Sequence, residues 1–373
     1  MAPRTTRPTP LRIAIAGGGT GGHVIPALAI GRELRDHHHA ELLYIGTGRG
    51  LETKLVPAAG FPLELVRSGQ LKNVSLTTRL KTLTDLPHGV LRCLQLLRSF
   101  NPQAVVGVGG YASGPAILAA AILRIPTLAY EPNAAPGLTN RIAGRFTSAA
   151  AVNFPQTTQF FRNAEVTGVP VRPEIFDIPP KPAAPDPDTP LRLLVTAGSQ
   201  GAAVFNDLLP RITHRLFHQI PDLTIVHQAG PRHLETTRAA YSQAGLEPGS
   251  GSRVQVDAFL NDMPAQYAAA DLILARSGST VAELCAAGRA SLLIPFPQAA
   301  DDHQRKNAEV LAQAGAAQML LQANTDEHTL YEALLTLLTD HPRRAAMASQ
   351  ARSLARPGAL QRIAVMVLRI ATR

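Results

Sequence analysis

The stretch LRIAIAGGGTGG, residues 11–22, has a counterpart 180 positions later in LRLLVTAGSQGA, residues 191–202. Each is Leu-Arg, a short apolar run and a glycine turn, with Gly18 aligned on Gly198 and Gly21 on Gly201. A short apolar run closed by glycines reads as a buried parallel strand feeding a helix. The same device recurs as ELLYIGT (41–47), AVVGVGG (104–110) and PTLAYEP (126–132), and then as LTIVHQAG (223–230), VQVDAFL (254–260), LILARSG (272–278) and ASLLIPF (290–296). Amphipathic or Ala/Leu-rich helical stretches separate these runs, which is the α/β alternation of a parallel sheet covered by helices. Between the two series lies FDIPPKPAAPDPDTP (176–190), whose prolines continue neither a helix nor a ladder. The expectation is two doubly wound, Rossmann-like domains facing across a ligand cleft at their carboxyl edges. Residues 1–10 are expected as a disordered tail, 11–172 as the first domain, 173–190 as a linker, 191–350 as the second domain and 351–373 as a C-terminal helix returning to the first.

Bulk properties narrow the function. The chain has 373 residues, 45% hydrophobic and 17% charged, which suits a folded two-domain protein. Its longest apolar run, 116–123, is far short of the roughly 20 residues needed to span a bilayer. The start, MAPRTTRPTP, lacks a signal-peptide core, and the two cysteines, Cys93 and Cys285, suggest neither a disulfide framework nor zinc. The cytoplasm is the default compartment. A net charge of +9 points to an anionic partner. Nucleic acid is a poor candidate, because there is no Trp and aromatics make up 5%. Anionic lipid or a phosphate-bearing substrate fits better.

Gly17, Gly19 and Gly22 satisfy G-x-G-x-x-G after a strand, so a dinucleotide fingerprint has to be considered. That fingerprint needs an acid at the end of the second strand, whereas ELLYIGTG ends in Gly-Thr-Gly and carries its only acid, Glu41, at its start. The nicotinamide reading fails there. Glycines at a helix start still let backbone N–H groups approach an anion, although a ligand-free turn would use them too. His23, on the first turn of that helix, combines reach with a near-neutral pKa and is the candidate general base. Gly109, Gly110 and Ser113 form a second candidate anion loop. Glu131, Asn133 and Asn140 sit in a Pro/Gly loop whose asparagines turn chemistry alone would explain.

In LILARSGSTVAELCAAG (272–288) a strand ends at Arg276, a turn of small residues follows, and Glu283 lies in the next helix. Hydroxyls and free N–H groups at that start suit a diphosphate, and a carboxylate one turn on can accept from two ribose hydroxyls. A plain helix-start charge is the alternative for Glu283. Asp301, Asp302, His303, Gln304 and Asn307 follow the next strand and suit sugar hydroxyls; their spacing matches no metal-ligand set. Residues 67–98 carry Arg67, Lys72, Arg79, Lys81, Arg92 and Arg98 against Asp85, among many leucines. They form either a charged helix face over a core or a basic-rimmed apolar patch for an anionic membrane.

Eight motifs, GGGTGGHVIP, GVGGYASGP, EPNAAPGLTN, VTGVPVR, AGSQGA, FLNDM, RSGSTVAEL and DDHQRKNA, occur in an order that resembles the bacterial peptidoglycan N-acetylglucosaminyltransferases, from Leu11 to the C-terminus. The resemblance implies a GT-B fold and a hexosyltransferase that needs no metal or other cofactor. It implies inverting transfer of GlcNAc from UDP-GlcNAc to the C4 hydroxyl of the muramoyl-pentapeptide on undecaprenyl diphosphate (lipid I), which forms lipid II. It places the protein peripherally on the cytoplasmic face of the inner membrane, with wall-synthesis and division proteins as partners. By motif, Thr20, Gly21 and Gly22 would lie by the diphosphate or donor sugar and Asn133 near the sugar. Arg172 and Ser199 would meet the nucleotide diphosphate, with Ser279 or Thr280 capping a phosphate. The Leu260 backbone would read uracil, Glu283 would hold the ribose and Gln304 the GlcNAc hydroxyls. Gly109, Gly110 and Ser113 would serve the acceptor diphosphate, and Glu131 is a second candidate base. Two departures stand out: the RSGST turn is one residue shorter than in the family, and its His-Glu-Gln-Asn reads Tyr130-Glu131-Pro132-Asn133. The runner-up readings are another GT-B transferase with a lipid acceptor and a non-catalytic membrane adaptor. An adaptor has no need of both His23 and the set from Arg276 to Gln304.

Overall fold

A computed structural model of the chain describes residues 10–67, 76–182 and 189–372, with backbone alone for 76–84. Residues 1–9 of the expected tail, Lys72, the Arg79 and Lys81 side chains and the middle of the expected linker lie outside the described residues. The chain forms two compact units, Met1–Pro170 with Gly358–Arg373, and Val171–Pro357.

The first unit runs β1 (Arg12–Ala16), α1 (Gly21–His38), β2 (Glu41–Gly46), α2 (Glu52–Ala58), β3 (Leu63–Leu65), α3 (Leu76–Phe100), β4 (Ala104–Gly107), α4 (Ser113–Ile122), β5 (Thr127–Glu131), α5 (Leu138–Ala143), β6 (Ala149–Val152) and β7 (Ala164–Val166). Its strands pair in parallel in the order β3-β2-β1-β4-β5-β6-β7. Strand β1 shows why its run is unbroken by polar residues. Ile13 and Ile15 pack toward α1, while Ala14 and Ala16 pack toward α3 and α4, so both faces are covered. The alanines on the second face let Ala116, Ala119 and Ala120 of α4 lie close to the sheet.

The second unit runs α6 (Pro173–Phe176), β8 (Arg192–Thr196), α7 (Ala203–Gln219), β9 (Thr224–Gln228), α8 (Leu234–Gln243), β10 (Val254–Asp257), α9 (Met263–Ala269), β11 (Leu272–Ala275), α10 (Val281–Ala287), β12 (Ser291–Leu293), α11 (His303–Gln313), β13 (Gln318–Met319), α12 (Glu327–Thr339) and α13 (His341–Ser353). Its sheet, β10-β9-β8-β11-β12-β13, has the same doubly wound order as the first. In both sheets the order reverses beside the strand that opens the repeat.

Two expected boundaries move. The segment from 173 is not a free linker at its start, because Arg352 on α13 donates to the carbonyls of Phe176 and Ile178, and Arg289 donates to that of Pro179 at 3.1 Å. The segment's carbonyls keep their acceptor capacity although its prolines lack an N–H, and the guanidiniums of half-buried Arg352 and buried Arg289 take them up. Nor is 351–373 a single helix. Helix α13 ends at Ser353, and Pro357 and Gly358 (φ +73°) break the chain before α14 (Ala359–Ala371). Helix α14 then buries Ile363, Met366, Val367 and Ile370 in the core of the first unit. Each such side chain contributes about 1.5–3 kcal/mol on full burial, so α14 is an integral layer of that unit.

Candidate active site

In the first unit, the loops after β1 and β4 meet at the carboxyl edge, as adjacent parallel strands require. The fit is tight. A Cβ on Gly110 would stand 2.2 Å from the Gly18 carbonyl oxygen, and one on Gly109 would stand 2.9 Å from Cδ2 and Nε2 of His23. The His23 imidazole is therefore seated against the Gly109 backbone. The backbone N–H of His23 donates to Thr20 O at 3.1 Å, which starts α1, so the fold brings Thr20, Gly21, Gly22, His23, Gly109 and Gly110 together.

A residue the sequence reading missed shapes that edge. Glu52 is 1% exposed, and its Oε2 accepts from the Gly19 N–H at 2.7 Å. Its Oε1 accepts from the N–H and the hydroxyl of Thr47, at 3.0 and 2.8 Å. The acid absent from the end of β2 thus arrives from the start of α2 and fixes the glycine loop. The Gly19 amide is consequently not available to an anion, contrary to the simplest form of the expectation. Donors at Thr20–Gly22 remain.

Ser113 requires a correction. It is fully buried, its Oγ has no hydrogen-bond partner among the described residues, and it lies 2.6 Å from where a Cβ on Gly107 would be. The hydroxyl points back at the sheet, filling the space a glycine strand end leaves, and cannot serve a diphosphate. Glu131 also changes role. It is 2% exposed; Oε1 accepts from the N–H and Nδ2 of Asn133 and Oε2 from Gly137 N–H and Asn140 Nδ2, at 3.0–3.2 Å. Burial pushes its carboxyl above the usual range, while the bonds from Asn140, Asn133 and Gly137 pull it back. With both oxygens held by its own loop, Glu131 shapes the turn that presents Asn133, and no oxygen is left facing outward to take a substrate proton.

In the second unit the loop after β8 exposes Ser199, and a second missed residue ties it down. Gln228, 3% exposed, donates to Gly198 O at 2.6 Å and accepts from Leu260 N–H at 3.0 Å. This brings Ser199 and Leu260 to one place. It also means that the Leu260 N–H is taken, so of its backbone the carbonyl is the group left to read a base. Around the next strands, Ser277 donates to Gln304 O at 2.8 Å, and Gln304 Oε1 accepts from Phe296 N–H at 3.0 Å. The amide nitrogen of Gln304 faces Gly278, so Gln304 joins the loop carrying Ser279 and Thr280. Neither Ser279 nor Thr280 caps α10 with its side chain. Arg276 is a brace. It donates to Ile294 O, Pro295 O and Gln322 Oε1 at 2.6–3.0 Å, and burial lowers it to about 10.

Glu283 accepts from the Tyr267 hydroxyl at 2.8 Å. Burial raises its carboxyl, opposed by that hydrogen bond and by the charge of Arg172, which is exposed at the start of α6. Arg172 and Glu283 therefore share one electrostatic neighbourhood. Among the described residues, no group of three His, Cys, Asp or Glu is placed to hold a metal ion.

The chain is similar to known proteins along nearly its whole length. Residues 13–152 match the glycosyltransferase family 28 N-terminal domain and residues 192–363 the glycosyltransferase family 28 C-terminal domain. The chain belongs to glycosyltransferase family 28. A relative from Solibacter usitatus, named UDP-N-acetylglucosamine–N-acetylmuramyl-(pentapeptide) pyrophosphoryl-undecaprenol N-acetylglucosamine transferase, is 42% identical over 371 residues, 99% of this chain and 98% of that one. One of the same name from Stutzerimonas stutzeri is 39% identical, covering 96% and 98%. The crystal structure of Acinetobacter baumannii MurG matches with a TM-score of 0.81 and 31% identity, over 96% of this chain and 100% of that one. The calicheamicin glycosyltransferase CalG4, at 18% identity and a TM-score of 0.70 over 98% and 99%, shares the fold. The family 28 match thus spans both Rossmann-like units.

Proposed function

We propose that this chain is an inverting hexosyltransferase that moves GlcNAc from UDP-GlcNAc to the C4 hydroxyl of the muramoyl-pentapeptide on undecaprenyl diphosphate, making lipid II. The full-length 42% identity to a transferase of that name carries the reading. In the proposed reaction the acceptor oxygen bonds to the anomeric carbon on the face opposite UDP. The carbon–oxygen bond to the diphosphate breaks, and the hydroxyl proton passes to the imidazole of His23. Such a base contributes roughly 10²–10⁴ in rate. UDP leaves with added negative charge, and the reading assigns Arg172, the hydroxyls of Ser199, Ser279 and Thr280, and the neighbouring N–H groups to meet it. The proposal gives that task to these groups and calls on no metal ion or other cofactor. Glu283 holds the ribose, the Leu260 carbonyl the uracil, and Gln304 Nε2 the GlcNAc hydroxyls. Asn133, on the turn built by Glu131, lies near the sugar. The N–H groups at Gly109 and Gly110 remain for the acceptor diphosphate.

His23→Ala tests the chemistry. Turnover is expected to fall by roughly 10²–10⁴ with UDP affinity unchanged. Turnover within a few-fold of the parent would remove His23 as the base.

We also propose that the first unit rests on the cytoplasmic leaflet of the inner membrane. No helix of the described residues is long and apolar enough to cross a bilayer. Helices α3, α4 and α5, which pack side by side, expose Leu91 (58%), Ile122 (55%) and Ile142 (59%), and Phe146 follows at 65%. Arg98, Arg124 and Arg145 are interspersed with them in the sequence. Exposed apolar side chains among arginines suit the interface of an anionic membrane. Leu91 and Arg98 bring the described end of 67–98 into this face; α3 also buries Cys93, Leu96 and Leu97, and Arg92 pairs with Glu64 at 2.9 Å. Wall-synthesis or division proteins that share this surface are the partners we propose.

A further inference from the structure

Tyr267 lies on α9, is fully buried, and is held at both ends. Its carbonyl accepts from Arg289 Nε at 2.9 Å, and the carbonyl of Ala268 accepts from Arg289 Nη2 at 3.1 Å. Arg289 is itself 2% exposed, so this anchor is part of the core. At the other end the phenol hydroxyl donates to Glu283 Oε2 on α10. Helix α9 begins three residues after Leu260, capped by Asp262, whose carboxylate accepts from Ala265 N–H at 3.1 Å. One short helix therefore links the backbone that meets a base to the side chain that meets a ribose.

We propose that Tyr267 is a positioning residue for ribose recognition, fixing the Glu283 carboxylate so that the site distinguishes a ribonucleotide from its 2′-deoxy counterpart. The inference rests on the proposed role of Glu283. A glutamate on a helix has several rotamers, and a carboxylate that must accept from adjacent hydroxyls has to be held in one of them. The Tyr267 bond holds one oxygen and leaves the other presented. A hydrogen bond to a charged carboxylate is among the stronger kinds, so rotation away from it is disfavoured. The bond also favours the ionised form of a group that burial pushes toward protonation, and only that form accepts from both hydroxyls. Tyr267 lies in none of the eight motifs, because it acts through a partner 16 residues away on a separate helix.

The test is the ratio of dissociation constants for UDP and 2′-deoxy-UDP in the full chain, measured by calorimetry across pH. Tyr267→Phe is expected to lower the ratio about ten-fold and to shift the acid limb of UDP binding upward. In a Glu283→Ala background the same change is expected to have no further effect. An unchanged ratio, an equal weakening of both nucleotides, or an additive loss in that background would overturn the inference. If Tyr267→Phe does not fold, 3-fluorotyrosine at position 267 keeps the packing and makes the hydroxyl a stronger donor. The acid limb must then move down, and an unmoved limb overturns the inference. Should the parent chain fail to prefer UDP, or Glu283→Ala keep the preference, Glu283 does not hold the ribose, and the inference falls with that role rather than by itself.

Discussion

Gly109→Ala probes the seat of His23. The backbone at Gly109 has φ +90°, a conformation that costs an L-residue about 1–2 kcal/mol. The added methyl would also meet Cδ2 and Nε2 of His23 at 2.9 Å, well inside the roughly 3.5 Å of a relaxed contact. Removing the clash requires a shift of about half an ångström. A misplacement of about 1 Å in a reacting group can cost on the order of 10² in rate, so roughly a ten-fold fall in kcat is expected. Gly60→Ala is the control, since Gly60 has φ +77° and nothing within 4 Å of its would-be Cβ. Both variants should melt lower by similar amounts. The assay is the initial rate of labelled GlcNAc transfer to a lipid I analogue at saturating UDP-GlcNAc, with UDP affinity measured separately. Gly109→Ala alone should lose turnover, at unchanged UDP affinity. Equal turnover in the two variants, within two-fold, would refute the placement of His23.

Glu131→Gln turns an amide toward donors that a carboxylate satisfies, and is expected to cost about 1–3 kcal/mol of stability in thermal melts; parental melting with lost turnover would show a chemical role for Glu131 instead. His227 is fully buried, and burial lowers it to about 3. Its unfolded value lies near 6.5, so the stability it allows is full above that pH and declines as pH falls toward 3, by about 1.4 kcal/mol per unit. Urea melts at pH 7.5 and 5.0 should therefore differ by about 2 kcal/mol more in the parent than in His227→Phe; equal slopes would contradict this. The protein should sediment with anionic vesicles at about 0.1 M salt and be released near 1 M, where screening is within about 3 Å; sedimentation that salt does not change, or none, would remove the basic face of the first unit as a membrane contact.

The strands legible in sequence are those with continuous Val, Ile and Leu runs and a glycine stop, such as β1, β8 and β11. Strand β6 was not, because Ala149, Ala150 and Ala151 carry little strand preference, and Ala149 and Ala151 are buried only by the apolar face of α14, which arrives from the far end of the chain. The glycine loops and His23 could be read from local spacing. Glu52, Gln228 and Tyr267 could not, since each acts through a contact to a segment that the chain path brings near: Gly19 is 33 positions from Glu52, and Gly198 is 30 from Gln228. Ser113 was misread for a related reason. A serine after a glycine loop looks like a phosphate donor, and only the missing side chain at Gly107 shows why the hydroxyl turns inward.

The most direct measurement is incubation of the purified chain with UDP-[¹⁴C]GlcNAc and a lipid I analogue, followed by extraction of the lipid and anomeric assignment of the product. Label in a β-linked GlcNAc on the muramoyl C4 oxygen, with one UDP released per transfer, is the expected result. No label in the lipid, or an α linkage, would contradict it.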